Sequence, residues 1–160
     1  MATPNLPASV LSRLELSPIE DFMLALLRED FPDIPIYSLI PKTPTFPFIV
    51  VRRGHRMGGW NGDPRFTDAA LVELQVFAQD PDGDEAAALI SEAVRVALRD
   101  AWLSHRVIPG RGSVIEITMT EEPSRVTDWA TSSGPVQFAD LPSGVWRYET
   151  HYLVSIRKER

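Results

Sequence analysis

Between residues 70 and 77 the side chains alternate. Ala70, Val72, Leu74 and Val76 fall on one side, and Leu71, Glu73, Gln75 and Phe77 on the other. A period of two predicts a β-strand with one more apolar face. A few residues later the period changes. From Asp84 onward, Leu89, Ile90, Ala93, Val94, Ala97, Leu98 and Ala101 form one stripe at helical spacing, which predicts a long helix reaching Trp102. The joint between the two patterns reads Asp80-Pro81-Asp82-Gly83-Asp84-Glu85. Pro81 and Gly83 suit a turn. Asp82 or Asp84 suits the helix N-cap, and Asp84 and Glu85 suit its positive end.

An earlier helix is expected from Ser17 to about Asp30. Ser17 fits the N-cap, Pro18 the first helical position and Glu20 the third, a capping box. Phe22, Met23, Leu26 and Leu27 supply its apolar face, and Pro32 and Pro35 end it. Residues 34–40 predict a strand, placed at a sheet edge by Pro35. Residues 46–53, "FPFIVVRR", predict a stronger one. Four glycines in the next twelve residues predict a loop. Residues 113–122 and 144–158 alternate again as strands, joined by a long polar connection. The order is helix, three strands, helix, two strands. Strands in runs point to an α+β fold, with two helices packed on one face of a largely antiparallel (mixed) sheet of about five strands. The other face is expected to mix Tyr, Trp and Val with charges. Residues 1–16 read as a partly ordered N-terminal arm, and residues 17–160 as a single domain.

Composition narrows the function classes. The 160 residues are 44% hydrophobic and 24% charged, an ordinary globular balance. The net charge of −6 lacks the basic surplus expected of a protein that grips nucleic acid. With no cysteine, disulfides, thiolate metal sites and cysteine nucleophiles are excluded, which is consistent with an intracellular site of synthesis. No apolar run approaches the ~18 residues that cross a bilayer, and the first residues lack the pattern of a signal peptide.

Candidate chemistry is sparse. Counted from Asp80, the sixth position of a calcium loop would be Glu85 and the twelfth Ser91, so the glycine and closing glutamate are missing. The acidic joint therefore reads as a corner. His55, His105 and His151 are far apart and form no HExxH, HxH or HxE pattern. No GxSxG elbow, P-loop or GxGxxG is present. The expectation is a protein that is not an enzyme, with no catalytic residues, no cofactor and no metal. The remaining feature is basic and aromatic. Arg52, Arg53, His55, Arg56 and Arg65 surround Trp60 and Phe66. Such a composition suits a protein interface or a nucleic-acid contact, and equally a solvated hairpin loop.

The layout resembles the tail-terminator (head–tail joining) proteins of long-tailed bacteriophages. The resemblance rests on a capped N-terminal helix leading to "PFIVVRRG", a glycine-rich loop, "DPRFTDAALVELQVFAQD" and then "DEAAALISEAVRVALRDAW". It covers residues 17–102 well and the rest in strand pattern only. It implies a structural virion protein at the tail–neck junction, made in the bacterial host cytoplasm. Its partners would be further copies of itself in a ring, typically a homohexamer, the tail tube protein below and a head-closure or neck protein above. DNA would pass through the hole without specific binding. Six copies at −6 each would carry about −36, a repulsive lumen if part of that charge faces inward. Residues 54–65 and 123–143 exceed the needs of a hairpin, and Trp60, Trp129 and Phe138 would anchor contacts with neighbours. Trp129 and Phe138 could instead fold back on their own sheet. Residues 1–16 and 123–143 have no counterpart in the resemblance. They leave two alternatives: another neck component, such as a head-closure or connector protein, and a small α+β ligand-binding or enzymatic domain.

Overall fold

A computed structural model describes residues 6–11, 19–54, 63, 65–126 and 144–159. The elements in chain order are α1 (Ala8–Leu11), α2 (Ile19–Asp30), β1 (Ile36–Tyr37), β2 (Phe48–Arg53), β3 (Thr67–Gln79), α3 (Gly83–Leu103), β4 (Val107–Ile108), β5 (Gly112–Val126) and β6 (Val145–Lys158). The fold is α+β, as the periodicities predict. The sheet has six strands in the order β1-β2-β3-β6-β5-β4, one more than expected. Only the β1–β2 pair is parallel.

Helices α2 and α3 cover one face. Strand β3 sends Ala70, Val72, Leu74, Val76 and Ala78 toward them, and β6 sends Tyr152, Val154 and Ile156. Phe22, Met23, Leu26 and Leu27 of α2 and Ala87, Val94, Leu98 and Ala101 of α3 complete this core. Each fully buried Val, Leu, Ile, Phe or Met side chain contributes roughly 1.5–3 kcal/mol of transfer free energy. The sheet curls about α2, so that ion pairs tie this helix to the strand-β4 end of the sheet. Arg106 bridges Glu29 and Asp30 at 3.0 Å each, and Arg111 meets Asp21 at 3.0 Å.

The other face mixes Tyr and Val with charges, as expected, but its tyrosine does not come from β6. Tyr148 and Tyr152 point to the helices, so the second face carries Arg147, Glu149 and His151 instead. Its aromatic part comes from β2 and β3. Phe48, Val50 and Phe77 form a second small core with Tyr37, Ile40, Phe46 and Val145 packed against it. The Phe48 and Phe77 rings stack at 4.7 Å and 7°.

The helix α3 stripe also differs from the expected one. Leu89 is 63% exposed and Ala93 is exposed, whereas Ala87 and Ser91 are buried. Ser91 can face the core because its hydroxyl donates to the Ala87 carbonyl at 2.8 Å, leaving no orphan donor. The helix therefore has two apolar stripes. One packs on the sheet, and the other, Leu89-Ala93-Val96-Leu103, runs along its outer side, with Leu103 65% exposed.

Candidate functional site

The second face of the sheet holds a ladder of charges built by cross-strand register. Arg52 of β2 lies opposite Glu73 of β3, Glu73 opposite His151 of β6, and His151 opposite Glu121 of β5. The adjacent row runs Val50, Gln75, Glu149, Ser124. The row after it ends the ladder with Phe48, Phe77, Arg147 and Val126. Opposed and diagonal side chains on one face of a sheet lie within reach of each other. The ladder thus gathers groups from four strands that are far apart in sequence.

His151 is its centre. The imidazole Nδ1 lies 2.6 Å from Glu121 Oε2, while Nε2 lies 3.4 Å from Glu149 Oε1 and 4.0 Å from Glu73 Oε2. Gln75 is only 3% exposed, and its amide Nε2 donates to Glu149 Oε2 at 3.3 Å and to Glu73 Oε1. Its Oε1 is buried with no hydrogen-bond partner among the described residues. Arg147, 8% exposed, sits at the end of the ladder. Burial pulls its guanidinium below the usual arginine range, while Glu149 and Glu73 push it back up and Arg52 adds to the lowering. Three carboxylates thus face two guanidinium groups and one imidazole.

The acidic joint is a corner, and its aspartates hold the two ends of the long strands to α3. Asp82 takes the N-cap position but makes no side-chain capping bond. Asp80 accepts from the Trp146 indole at 2.6 Å, and its own N–H donates to the Gly144 carbonyl at 3.0 Å. Asp84 accepts from the Tyr148 hydroxyl at 2.9 Å and pairs with Arg125 at 3.3 Å. Arg125 also lies over the Trp146 ring at 5.4 Å. Burial raises the Tyr148 pKa, and the bond to Asp84 raises it further. Of the expected capping box, Glu20 is the member among the described residues. The Glu20 carboxylate accepts from the backbone N–H of Arg53 at 3.0 Å, at the end of β2, and the N–H of Ile19 donates to Asp68 Oδ2 at 3.1 Å. Ser17 lies outside the described residues.

Of the basic cluster read from the sequence, Arg52, Arg53, Arg65 and Phe66 are among the described residues. Arg52 and Arg53 are neighbours on β2 and so point to opposite faces, Arg52 into the charge ladder and Arg53 to the helix side. Arg53 pairs with Asp68 at 3.2 Å. Arg65 pairs with Asp63 at 2.7 Å and lies 5.5 Å from the centre of the Phe66 ring, which is 40% exposed. Arg56, Trp60, Trp129 and Phe138 lie outside the described residues. Sequence spacing missed the Glu73, Gln75, Glu149 and His151 group, since half of it is on β3 and half on β6. The readable signal was Glu149 and His151 two apart on one strand, which places them on one face.

Two features offer contact surface. Strand β4 pairs only with Gly112–Ser113 of β5, and the Arg106 carbonyl accepts from the Val114 N–H, so among the described residues no strand lies beside residues 115–126, whose pairing with β6 has register shifts at Val114/Glu116, Met119/Glu121 and Glu121/Ser124. Beside the outer stripe of α3, a groove of about 470 Å³ is lined by Phe31, Ala93, Val96, Ala97 and the Asp30 and Arg106 side chains, among others. Among the described residues, no helix is long and apolar enough to cross a membrane. Neither a protein-family model nor a curated protein sequence matches this chain.

Proposed function

We propose that the chain is a structural assembly protein that forms a ring, closes the end of a phage tail tube and joins it to the neck. The observation that carries the assembly part is the outer stripe of α3. A helix already packed on its own sheet has no internal use for Leu89 and Leu103 at 63% and 65% exposure. Exposed apolar side chains aligned along one element suit contact with another protein. A ring requires a heterologous contact, in which one patch of a subunit meets a different patch on the next. The β5 edge and the α3 stripe are two such different patches, and a second copy is the occupant that both would serve. The assignment to tail termination rests on the resemblance of residues 17–102.

In this reading the protein performs no catalysis, its partners are the tube and neck proteins, and DNA crosses the ring without sequence-specific contact. The charge ladder supports that last point. Arg52 and Arg147 lie among Glu73, Glu149 and Glu121, and Arg53 and Arg65 pair with aspartates, so these arginines are not left to a phosphate backbone.

Light scattering of the purified protein over a concentration series, followed by electron microscopy with purified tube protein, tests the reading. Rings, or tubes capped at one end only when the protein is present, are the expected result. Rings that bind head-side proteins and ignore tubes would move the protein to another neck position. A monomer at all concentrations that never associates with tubes would overturn the proposal.

A further inference from the structure

We propose that Glu73, Glu149 and His151 bind a divalent first-row metal cation, zinc foremost, on the second face of the sheet. One carboxylate oxygen from each glutamate and a nitrogen of His151 all lie within 4.8 Å of one another. Zinc bonds to nitrogen and carboxylate oxygen at about 2.0–2.2 Å, so tetrahedral ligand atoms stand roughly 3.3–3.6 Å apart. The 3.4 Å between His151 Nε2 and Glu149 Oε1 already has that value. Glu73 Oε2, at 4.0 Å from Nε2, reaches it by a small change of side-chain torsion.

Two further observations point to a cation. The first is Gln75. Its carboxamide is buried against both glutamates, yet Oε1 has no hydrogen-bond partner among the described residues. Its amide N–H groups hold Glu73 Oε1 and Glu149 Oε2, which leaves the other oxygen of each carboxylate, Glu73 Oε2 and Glu149 Oε1, turned toward His151 Nε2. The second is charge balance. Glu73, Glu121 and Glu149 carry three negative charges against the two of Arg52 and Arg147, so the group accommodates further positive charge beside His151. The orientation of the imidazole supports a metal as that charge. Glu121, 2.6 Å from Nδ1, can hold the proton there and leave the Nε2 lone pair facing Glu149 and Glu73. A carboxylate behind the imidazole is the usual means of fixing a metal-binding tautomer. The rival is a proton on Nε2, which would satisfy the same carboxylates without any metal.

The site would tie β3 to β6, with Glu121 of β5 behind the histidine. It involves no reaction. It also stands apart from the ring proposal, since strand pinning does not require other copies.

The test is titration of zinc chloride into the full-length, metal-stripped protein, in competition with a chromogenic chelator, alongside thermal unfolding. The expected result is one zinc per chain and a rise in midpoint of roughly 5–10 °C at a hundredfold excess over Kd. Glu149→Gln and His151→Gln should each weaken zinc binding at least tenfold while the far-UV circular dichroism of the metal-free protein stays unchanged. Glu121→Gln, remote from the metal itself, should weaken it less, and serves if the first two do not fold. No stoichiometric zinc binding, or binding unchanged in the variants, would overturn the proposal. The latter result would place zinc elsewhere, His105 included.

Discussion

Replacing Gly83 with alanine should destabilise the protein, although the same change at most helix first-turn positions does the opposite. Gly83 is the first residue of α3, and its backbone is in a conformation any residue can adopt, so alanine would normally stabilise by about 0.4–1 kcal/mol through the unfolded state. The surroundings reverse the sign. A Cβ built there falls 2.5 Å from Cδ1 of Trp146 and 3.2 Å from the Ala78 carbonyl oxygen. Cδ1 belongs to the base of a rigid ring, so the whole indole must move. Moving it disturbs the 2.6 Å bond to Asp80 and the stack under Arg125. Overpacking of this kind costs about 1–3 kcal/mol, and the disturbed hydrogen bond, partly exposed, adds about 1 kcal/mol. The net loss is about 1–3 kcal/mol, which lowers the melting temperature by roughly 3–10 °C at this chain length.

A double-mutant cycle in urea isolates the cause. In a Trp146→Ala background the indole is gone, and Gly83→Ala should become close to neutral, with only the tight Ala78 contact opposing the entropic gain. The coupling energy should be at least 1 kcal/mol. Equal destabilisation in both backgrounds would refute the argument, because the cost would then lie in the backbone and not in Trp146.

Gly112 should tolerate alanine still less. Its φ is +134°, and a Cβ would fall 2.1 Å from the Arg157 carbonyl oxygen on the neighbouring strand, so Gly112→Ala should cost about 3–5 kcal/mol by chemical denaturation. Phe77→Ala removes one ring of the stacked pair in the second core and should cost about 3–5 kcal/mol, with no change in helical circular dichroism. Tyr152 is 2% exposed, its hydroxyl has no hydrogen-bond partner among the described residues, and burial pushes its pKa up to about 12. Because the folded-state value exceeds the unfolded value of about 10, the protein binds this proton more tightly when folded. That stability is complete below pH 10 and is lost as the pH rises toward 12, about 2–3 kcal/mol in all. Tyr152→Phe should therefore be neutral or slightly stabilising at pH 7 and should flatten the stability curve between pH 10 and 12, read from denaturation midpoints across that window.

Long periodic segments made most of the fold legible. The alternation at residues 70–77 located β3, and the helical spacing after Asp84 located α3 to within one residue at each end. What escaped was short or relational. A two-residue strand such as β4, or a four-residue helix such as α1, contains about one period of its pattern, too little for a repeat to show. The strand expected at 34–40 shrinks to Ile36–Tyr37, since Pro35 supplies no N–H to the ladder and only two residues pair with β2. The expected α3 stripe holds at Ile90, Val94, Leu98 and Ala101 and fails at Leu89 and Ala93, because apolar residues occur on two sides of the helix. Spacing alone cannot say that Ala87 and Ser91 face the sheet while the larger Leu89 does not. The Glu73, Glu149 and His151 group depends on the β3–β6 register, which no local pattern encodes.

That register also shows why the two faces of this sheet differ in kind. A strand buried on both sides, as β3 is at Leu74, Gln75, Val76 and Phe77, needs cover on both, and the two helices supply only one. At one end of the second face the problem is solved with a small aromatic core around Phe48 and Phe77. Toward the other end it is met by charged and polar groups set side by side across four strands, with Gln75 buried among them. A face closed in this way offers a partner little apolar area to bury. Three of the exposed large apolar residues of the described structure, Leu89, Trp102 and Leu103, sit on the outer side of α3, and the others are Val10, Leu39, Phe66, Val107 and Ile115. In the ring proposed above, a contact between copies driven by apolar burial would therefore use the outer side of α3. The charge ladder is left free to act within the chain, as a brace between β3 and β6.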